Sequence, residues 1–291
     1  KAGVHGITIP STSDYLPTKT GYTFNHWEIQ GPTTANCNNS TTCYPGDLLT
    51  IYSDEEFTGN VTIKAIYDIN YYTVTISNTN TTSGASSLSI PYGGSQTVTV
   101  TPSTGYYLSS VSCPAGYTCS GYGTGTSYTG TQTVTVKNNN ATTGGTLSFT
   151  GAKRSFTVSV TNSNTSSGAS SLSIPYGESK TVTVTPSSGY YLSGVSCPSG
   201  YTCSGYSTGY TKTGTQTVTV KNNNHVGGGT LTFTGTRLTL SQTCANAGKG
   251  TVFAYGSTWY RKFNNGACYT RYRVVAPVDW YTAQSSCPSG T

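Results

Sequence analysis

Thr97-Val98-Thr99-Val100-Thr101-Pro102 carries the clearest strand pattern in the sequence, and the same six residues return as Thr181–Pro186, 84 positions later. Its valines point to one face and its threonines to the other, which is the period-2 pattern of a strand with one buried face. The neighbouring segments Pro91-Tyr92-Gly93-Gly94 and Pro102-Ser103-Thr104-Gly105 are turn signals. The segment therefore predicts antiparallel sheets made of short strands.

This strand belongs to a tandem repeat without gaps. Residues 72–155 align with residues 156–239, and 61 of the 84 positions are identical. About six short strands fit in each copy. We therefore expect a mainly β protein in which small antiparallel modules, each a sandwich or a grasp-like fold, follow one another as a rod.

Residues 1–71 look like a divergent copy of the same module. Gly21-Tyr22 lies before a Cys pair, as Gly105-Tyr106 does in the first repeat, and residues 61–67 match the closing strand. Only 20 residues precede Gly21, whereas the first repeat begins 33 residues before Gly105. We therefore expect this module to lack its opening strand and to carry an open groove.

Six of the nine cysteines form pairs with one common spacing, with five residues between the two members. Repeated close pairs in a chain rich in Thr and Ser predict local disulfides made in an oxidising compartment. Metal binding is the alternative, and the absence of CxxC spacing or of companion His disfavours it. The predicted pairs are Cys37 with Cys43, Cys113 with Cys119, and Cys197 with Cys203.

Charged residues are scarce, at 8% of the chain, against about 25% in an average soluble domain. No Asp or Glu lies between Asp68 and Glu178, or between Glu178 and Asp279. Paired-carboxylate hydrolysis and carboxylate calcium sites are therefore excluded within the repeats. Since the repeats hold few basic residues, nucleic-acid binding is also disfavoured. We predict no catalytic residues, no cofactor and no metal, and thus not an enzyme.

The sequence holds no apolar run of about 20 residues, so we expect no transmembrane segment. It also begins with Lys1 and contains no Met, which predicts that a signal or pro-segment was removed or that the chain was truncated. Together with the disulfide pattern, this predicts an extracellular protein.

The order of motifs resembles the internalin-type B-repeats of bacterial surface proteins. It reads Pro91-Tyr92-Gly93-Gly94-Ser95-Gln96, then the Thr97–Pro102 strand, then Gly105-Tyr106-Tyr107-Leu108. The resemblance implies small β-rich spacers on a bacterial cell surface, with no catalytic residues. The inserted Cys pairs depart from the family pattern, and so does Val111 at a position where the family has Trp.

Residues 240–291 resemble the start of a C-type-lectin-like domain. Residues 280–287, with Trp280, Ala283 and Cys287, match its Trp-x-x-Ala-x-x-x-Cys helix. The resemblance implies a hairpin closed by a Cys244–Cys268 disulfide, a short helix near the C-terminus, and a Cys287 that is unpaired or bonded to another chain. An assembly segment is the alternative for this region.

The charges are unevenly distributed. Residues 1–71 carry three basic and seven acidic residues, a balance of −4, and residues 237–291 carry six basic and one acidic, a balance of +5. These ends attract each other between neighbouring molecules, unless they are merely solvated faces of unrelated domains. Aromatic side chains of the loops and the tail are candidates for a contact surface, and they are Tyr122, Tyr128, Tyr206, Tyr210, Trp259 and Trp280.

Two functions follow from these patterns. The first is an extracellular structural protein that forms a surface fibre or stalk, in its sharper form a head-to-tail filament in which one subunit's strand fills the next subunit's groove. The second is an adhesin whose stalk presents a lectin-like tip. The predicted partner is a second copy of the chain in the first case and a host or cell-surface ligand in the second.

Overall fold

The structure is a computed structural model, and it describes residues 3–9, 16–31, 35–53 and 61–270. The chain divides into two compact units, Lys1–Arg154 and Ser155–Thr291. The predicted fold class is confirmed, because the described residues form 25 short strands and one short helix. The module boundaries at 71/72, 155/156 and 239/240 stay predictions.

The N-terminal part of the first unit contains two three-stranded sheets, with strand orders β1-β5-β3 and β4-β2-β6. Its small core joins residues from both sheets, such as Ile29 and Leu49. The strands are β1 (Gly3–Thr8), β2 (Tyr22–Gln30), β3 (Ala35–Cys37), β4 (Thr42–Cys43), β5 (Leu48–Ser53) and β6 (Thr62–Ile69).

The first repeat completes this unit with two four-stranded sheets, ordered β11-β14-β7-β9 and β12-β13-β10-β8. The strands are β7 (Tyr71–Thr79), β8 (Thr81–Ser83), β9 (Ser87–Pro91), β10 (Ser95–Pro102), β11 (Tyr106–Ser112), β12 (Tyr117–Ser120), β13 (Gln132–Asn138) and β14 (Gly145–Lys153).

The period-2 pattern decides which face of these strands is buried. Val98 pairs with Val134 across β10 and β13, and both valines lie in the core, while Thr97 and its neighbours on the same face point to solvent. Val74 and Leu147 come from the other sheet and contact the same core. Two sheets enclosing one core make the repeat a sandwich.

One pairing in each repeat departs from the antiparallel expectation. β7, the first strand, lies parallel to β14, the last strand, over six residue pairs from Val74–Gly145 to Thr79–Thr150. Alternation of apolar residues specifies faces but not strand partners, so the sequence pattern did not predict this neighbour relationship.

The second unit repeats this sandwich with sheets ordered β17-β15-β22-β19 and β16-β18-β21-β20, and β15 is again parallel to β22. The strands are β15 (Ser155–Ser163), β16 (Thr165–Ser167), β17 (Ser171–Pro175), β18 (Ser179–Pro186), β19 (Tyr190–Ser196), β20 (Tyr201–Ser204), β21 (Gln216–Asn222) and β22 (Gly229–Arg237).

A helix and a small sheet end the described part of this unit. The helix α1 (Leu240–Asn246) begins at Thr239, whose hydroxyl accepts a hydrogen bond from the Gln242 backbone while the Gln242 side chain accepts one from the Thr239 backbone. The helix predicted over residues 280–287 lies outside the described residues. The sheet order is β23-β24-β25, with β23 (Val252–Tyr255), β24 (Thr258–Lys262) and β25 (Cys268–Thr270).

Candidate functional site

The disulfides tie structural elements together. In the first repeat Cys113 directly follows β11 and Cys119 lies on β12, so this bond connects the two sheets of the sandwich. Four disulfides are typical of proteins that fold in an oxidising compartment. The bonded pairs are Cys37–Cys43, Cys113–Cys119, Cys197–Cys203 and Cys244–Cys268, and Cys287 lies outside the described residues.

The parallel ladder between β7 and β14 requires glycine where the strands pass closest. A Cβ added to Gly144 would lie 1.9 Å from the carbonyl oxygen of Thr73, and one added to Gly151 would lie 2.5 Å from that of Asn80. The Thr75 hydroxyl adds a hydrogen bond of 3.2 Å to the Gly145 carbonyl. The second repeat has the same contact at Gly228, so the ladder is a repeated feature.

Parallel pairing also fixes where the chain enters and leaves each repeat. β7 starts at one end of the ladder, and β14, which runs in the same direction, finishes at the other end. A pull on the chain at both ends of the repeat therefore acts along the two strands in opposite directions and slides them past each other.

A buried polar contact holds the loop that leads into β14. Asn138 is fully buried, and its side chain accepts a hydrogen bond from the Ala141 N–H (2.6 Å) and donates one to the Ala141 carbonyl (3.1 Å). The Tyr117 hydroxyl donates to the Thr143 carbonyl at 3.0 Å. Burial raises the pKa of Tyr117, and the nearby Tyr72 raises it further. Asn222 and Tyr201 form the same arrangement in the second repeat.

Within residues 3–9, 16–31, 35–53 and 61–71 of the first module, one strand edge has no partner strand. Trp27 faces Ala65 across β2 and β6, as Val111 faces Phe149 across β11 and β14, so β6 is the counterpart of β14. In the repeat the far side of β14 is covered by β7, whereas β6 ends its sheet among the described residues. We call this far side, opposite to β2, the open edge of β6. The groove expected from the sequence stays a prediction.

The first module joins the first repeat without a linker. The Asn70 N–H donates to the Gly21 carbonyl (2.9 Å), and the Asn70 carbonyl accepts from the Tyr92 N–H (2.9 Å). Gly21 has φ +78°, and a Cβ there would lie 2.1 Å from the Tyr92 ring. The exit bond recurs within each unit, from Arg154 to Gly105 (2.8 Å) and from Leu238 to Gly189 (2.9 Å).

The candidate contact aromatics differ in their surroundings. Tyr122 and Tyr206 pack against the cores of their repeats. Tyr128 and Tyr210 are 43% and 44% exposed, and Trp259 is 52% exposed. Tyr128 and Tyr210 do not occupy equivalent positions, because Lys212 aligns with Tyr128. Trp280 lies outside the described residues.

The second unit contains an open cleft of about 730 Å³ that the sequence did not reveal. It lies between the Ser187–Tyr190 turn, α1 and β23, and Arg237 lines it with its guanidinium 5.5 Å from the ring of Tyr255. A cation beside an aromatic face suits a polar ligand that also offers flat apolar surface.

Within the described part of the chain, no group of three or more His, Cys, Asp or Glu side chains lies close enough together to hold a metal ion. No helix among these residues has the length and apolar character needed to cross a membrane.

These features define a tandem array of disulfide-bonded β-sandwich modules. No protein-family model, no curated protein and no solved structure matches the chain. The resemblances to internalin-type B-repeats and to C-type-lectin-like domains therefore stay predictions.

Proposed function

We propose that this chain is an extracellular structural protein that forms a fibre or stalk on a cell surface and carries tension along its length. The observation that carries the proposal is the parallel pairing of the first and last strands in each repeat. It belongs to both repeats, so it is a property of the module and not of one local sequence.

The direction of the ladder decides how a module resists force. Inter-strand hydrogen bonds lie across the strands. When the ends of two neighbouring parallel strands are pulled apart, the hydrogen bonds of the whole ladder must break together, whereas an unzipped hairpin loses them one after another. Forced unfolding depends on the rate of unfolding, and a simultaneous rupture raises that barrier.

The disulfides and the surface composition support the same proposal. Each intersheet bond joins cysteines with a sequence separation of only 6 residues, and it holds the two sheets of a module together. Because the closed loop is short, the bond keeps few residues from extending when the module unfolds. A surface of hydroxyls and amides with few charges, as here with 8% charged residues, does little to oppose self-association.

An adhesin that presents a lectin-like tip is the second candidate. It is favoured by the Cys244–Cys268 bond and by the cleft beside Arg237 and Tyr255. A glycan array probed with the full chain tests it. Specific binding that is lost in Arg237→Ala and kept in Arg261→Ala would support this function.

Single-molecule pulling of the full chain, together with negative-stain electron microscopy, tests the structural proposal. The repeats are expected to unfold one at a time, each releasing about 300 Å of chain at about 3.6 Å per residue. Micrographs are expected to show filaments or rods, before and after reduction. Repeats that extend without discrete steps, at forces that unzip a hairpin, would refute the proposal.

A further inference from the structure

The Cys244–Cys268 bond spans a longer stretch of chain than the other three described disulfides. Its two cysteines are separated by 24 positions, against 6 positions in each of the other pairs. Cys244 lies on α1 and Cys268 is the first residue of β25, so the loop between them contains the whole β23–β24 hairpin. The bond therefore joins the helix that follows the second repeat directly to the last described strand.

Covalent connectivity decides how tension passes this loop. A pull that enters the chain beyond residue 268 can reach the second repeat along the backbone of the loop or through the disulfide. The two Cα atoms that the bond joins lie 6.0 Å apart, whereas the 24-residue backbone route extends to about 86 Å at about 3.6 Å per residue. Because the shorter route becomes taut first, the disulfide bears the tension and the loop bears none.

The β23–β24 hairpin by itself would offer little resistance to this tension. Its antiparallel ladder has only four residue pairs, and it ends at Tyr255 and Thr258. Every residue from 245 to 267 is half-buried or exposed, so the loop has no core of its own. A hairpin without a core is marginally stable by itself in water. Pulled apart at its two ends, it would lose its hydrogen bonds one after another and open at low force.

Several hydrogen bonds hold the loop to its surroundings in the folded state. The Lys262 ammonium donates to the carbonyls of Ala245 (3.0 Å) and Ala247 (2.9 Å), at the C-terminal end of α1. The Asn246 side chain donates to the Tyr210 carbonyl of the second repeat at 2.6 Å. Except for Tyr210, these residues lie inside the loop, so tension that passes through the disulfide leaves their contacts unloaded.

We propose that the Cys244–Cys268 disulfide is a bypass for tension and a redox-controlled length reserve. While the bond is intact, tension runs from β25 to α1 through it, and the hairpin with the exposed Trp259 stays folded. When the bond is reduced, the tension passes into the loop and opens the hairpin, and the chain lengthens by about 80 Å. This inference rests on the proposed load-bearing function and names a regulation of it.

The reduction requires a dithiol as co-reactant. One thiolate of the dithiol attacks a sulfur of the bond and forms a mixed disulfide, while the other protein sulfur leaves as a thiolate and takes up a proton. The second thiolate of the reductant then displaces the remaining cysteine, which is protonated in turn. Two electrons pass to the protein sulfurs, and the dithiol is oxidised to a disulfide.

Force spectroscopy of the full chain, held by its two ends at a constant low force, tests the bypass. When dithiothreitol is added to the wild type, we expect one step of about 80 Å before any repeat unfolds. The other three bonds each close 6 positions and join Cα atoms 5.4 to 5.9 Å apart. Reduction of any one of them adds only about 16 Å, so the step size identifies the bond that was reduced.

A pair of double variants assigns the step. Cys244→Ser combined with Cys268→Ser should be about 80 Å longer than the oxidised wild type at the same low force and should show no large step with dithiothreitol. Cys197→Ser combined with Cys203→Ser is the matched control in the same unit, and it should keep the large step. The wild-type measurement decides the inference even where a variant fails to fold.

The inference is overturned by a wild-type chain that shows no step of this size, or by a Cys244→Ser, Cys268→Ser chain that still shows it. If the repeats nevertheless unfold in discrete steps, the structural function stands and only the bypass is lost. Repeats that extend without steps at this low force would refute the structural function itself.

Discussion

Replacing Gly144 by Ala should loosen the first repeat at the ladder that joins its first and last strands. The added Cβ would lie 1.9 Å from the carbonyl oxygen of Thr73, more than 1 Å inside ordinary contact, so the backbone must shift. Overpacking of this kind costs about 1–3 kcal/mol. Separation of the strand ends removes one or two hydrogen bonds of about 1 kcal/mol each.

One term opposes this loss. Alanine restricts the unfolded chain more than glycine does, which stabilises by about 0.4–1 kcal/mol. With the middle of each range, the expected net destabilisation of the first repeat is about 2–3 kcal/mol. Gly130→Ala is the matched control, because a Cβ there meets nothing within 4 Å, and it should leave stability unchanged or slightly raised.

Hydrogen exchange followed by mass spectrometry resolves the repeats within the full chain. Peptides from β7 and β14 in Gly144→Ala should exchange roughly 30- to 150-fold faster, while peptides from β15 and β22 stay at the wild-type rate. Gly228→Ala should produce the reverse pattern, since its Cβ would lie 2.1 Å from the Thr157 carbonyl oxygen. If β7 is as well protected from hydrogen exchange in Gly144→Ala as in Gly130→Ala, the close approach of the strands is not what holds the ladder.

Three further changes have defined outcomes. Replacing Cys113 and Cys119 together by Ser should lower the unfolding free energy of the first repeat by about 2 kcal/mol, measured by urea denaturation, and an unchanged midpoint would contradict the chain-entropy argument. Tyr117→Phe should cost about 1 kcal/mol of unfolding free energy at neutral pH. Because burial raises the pKa of Tyr117, the wild-type hydroxyl stabilises the fold below the ordinary pKa of 10.0, and this contribution is lost as the pH rises beyond it. The variant should therefore lose less stability than wild type between about pH 9 and 11, and parallel pH profiles would contradict this. Gly21→Val should push the Tyr92 ring away and raise the hydrogen-exchange rate at Asn70 and its neighbours, while the core of the first repeat stays protected. An unchanged exchange rate at Asn70 would mean that the joint does not depend on this contact.

The sequence predicted the features that depend on local patterns. The alternation in Thr97–Pro102 predicted the buried valines, and the spacing of Cys113 and Cys119 predicted a local disulfide. Both succeed because the face of a strand and the closure of a short loop depend on residues near in sequence.

Features that depend on residues far apart in the chain were not predicted from the sequence. The pairing of β7 with β14 joins residues about 70 positions apart, and the sequence analysis did not single out Gly144 and Gly151, the glycines that the close approach requires. Asn138 stands in a run of three Asn residues, and nothing in that run indicates that its side chain is fully buried. Tyr122 and Tyr128 are the same residue type in one loop, and only the fold shows that the former packs on the core while the latter is exposed. Helix α1 had a readable signal in Thr239 and Gln242, which form its capping box.

The backbone hydrogen bond that recurs at the end of each module affects how the gene can change in length. The exit residue differs each time, being Asn70, Arg154 and Leu238, yet its backbone N–H always donates to the carbonyl of a Gly-Tyr turn. Side chains are not part of this bond, so it forms whichever residue ends the module. A duplication or loss of 84 codons would then keep this bond at the end of every module. A gene of this kind can lengthen or shorten its product in whole modules within one recombination event, and this bond does not have to evolve anew.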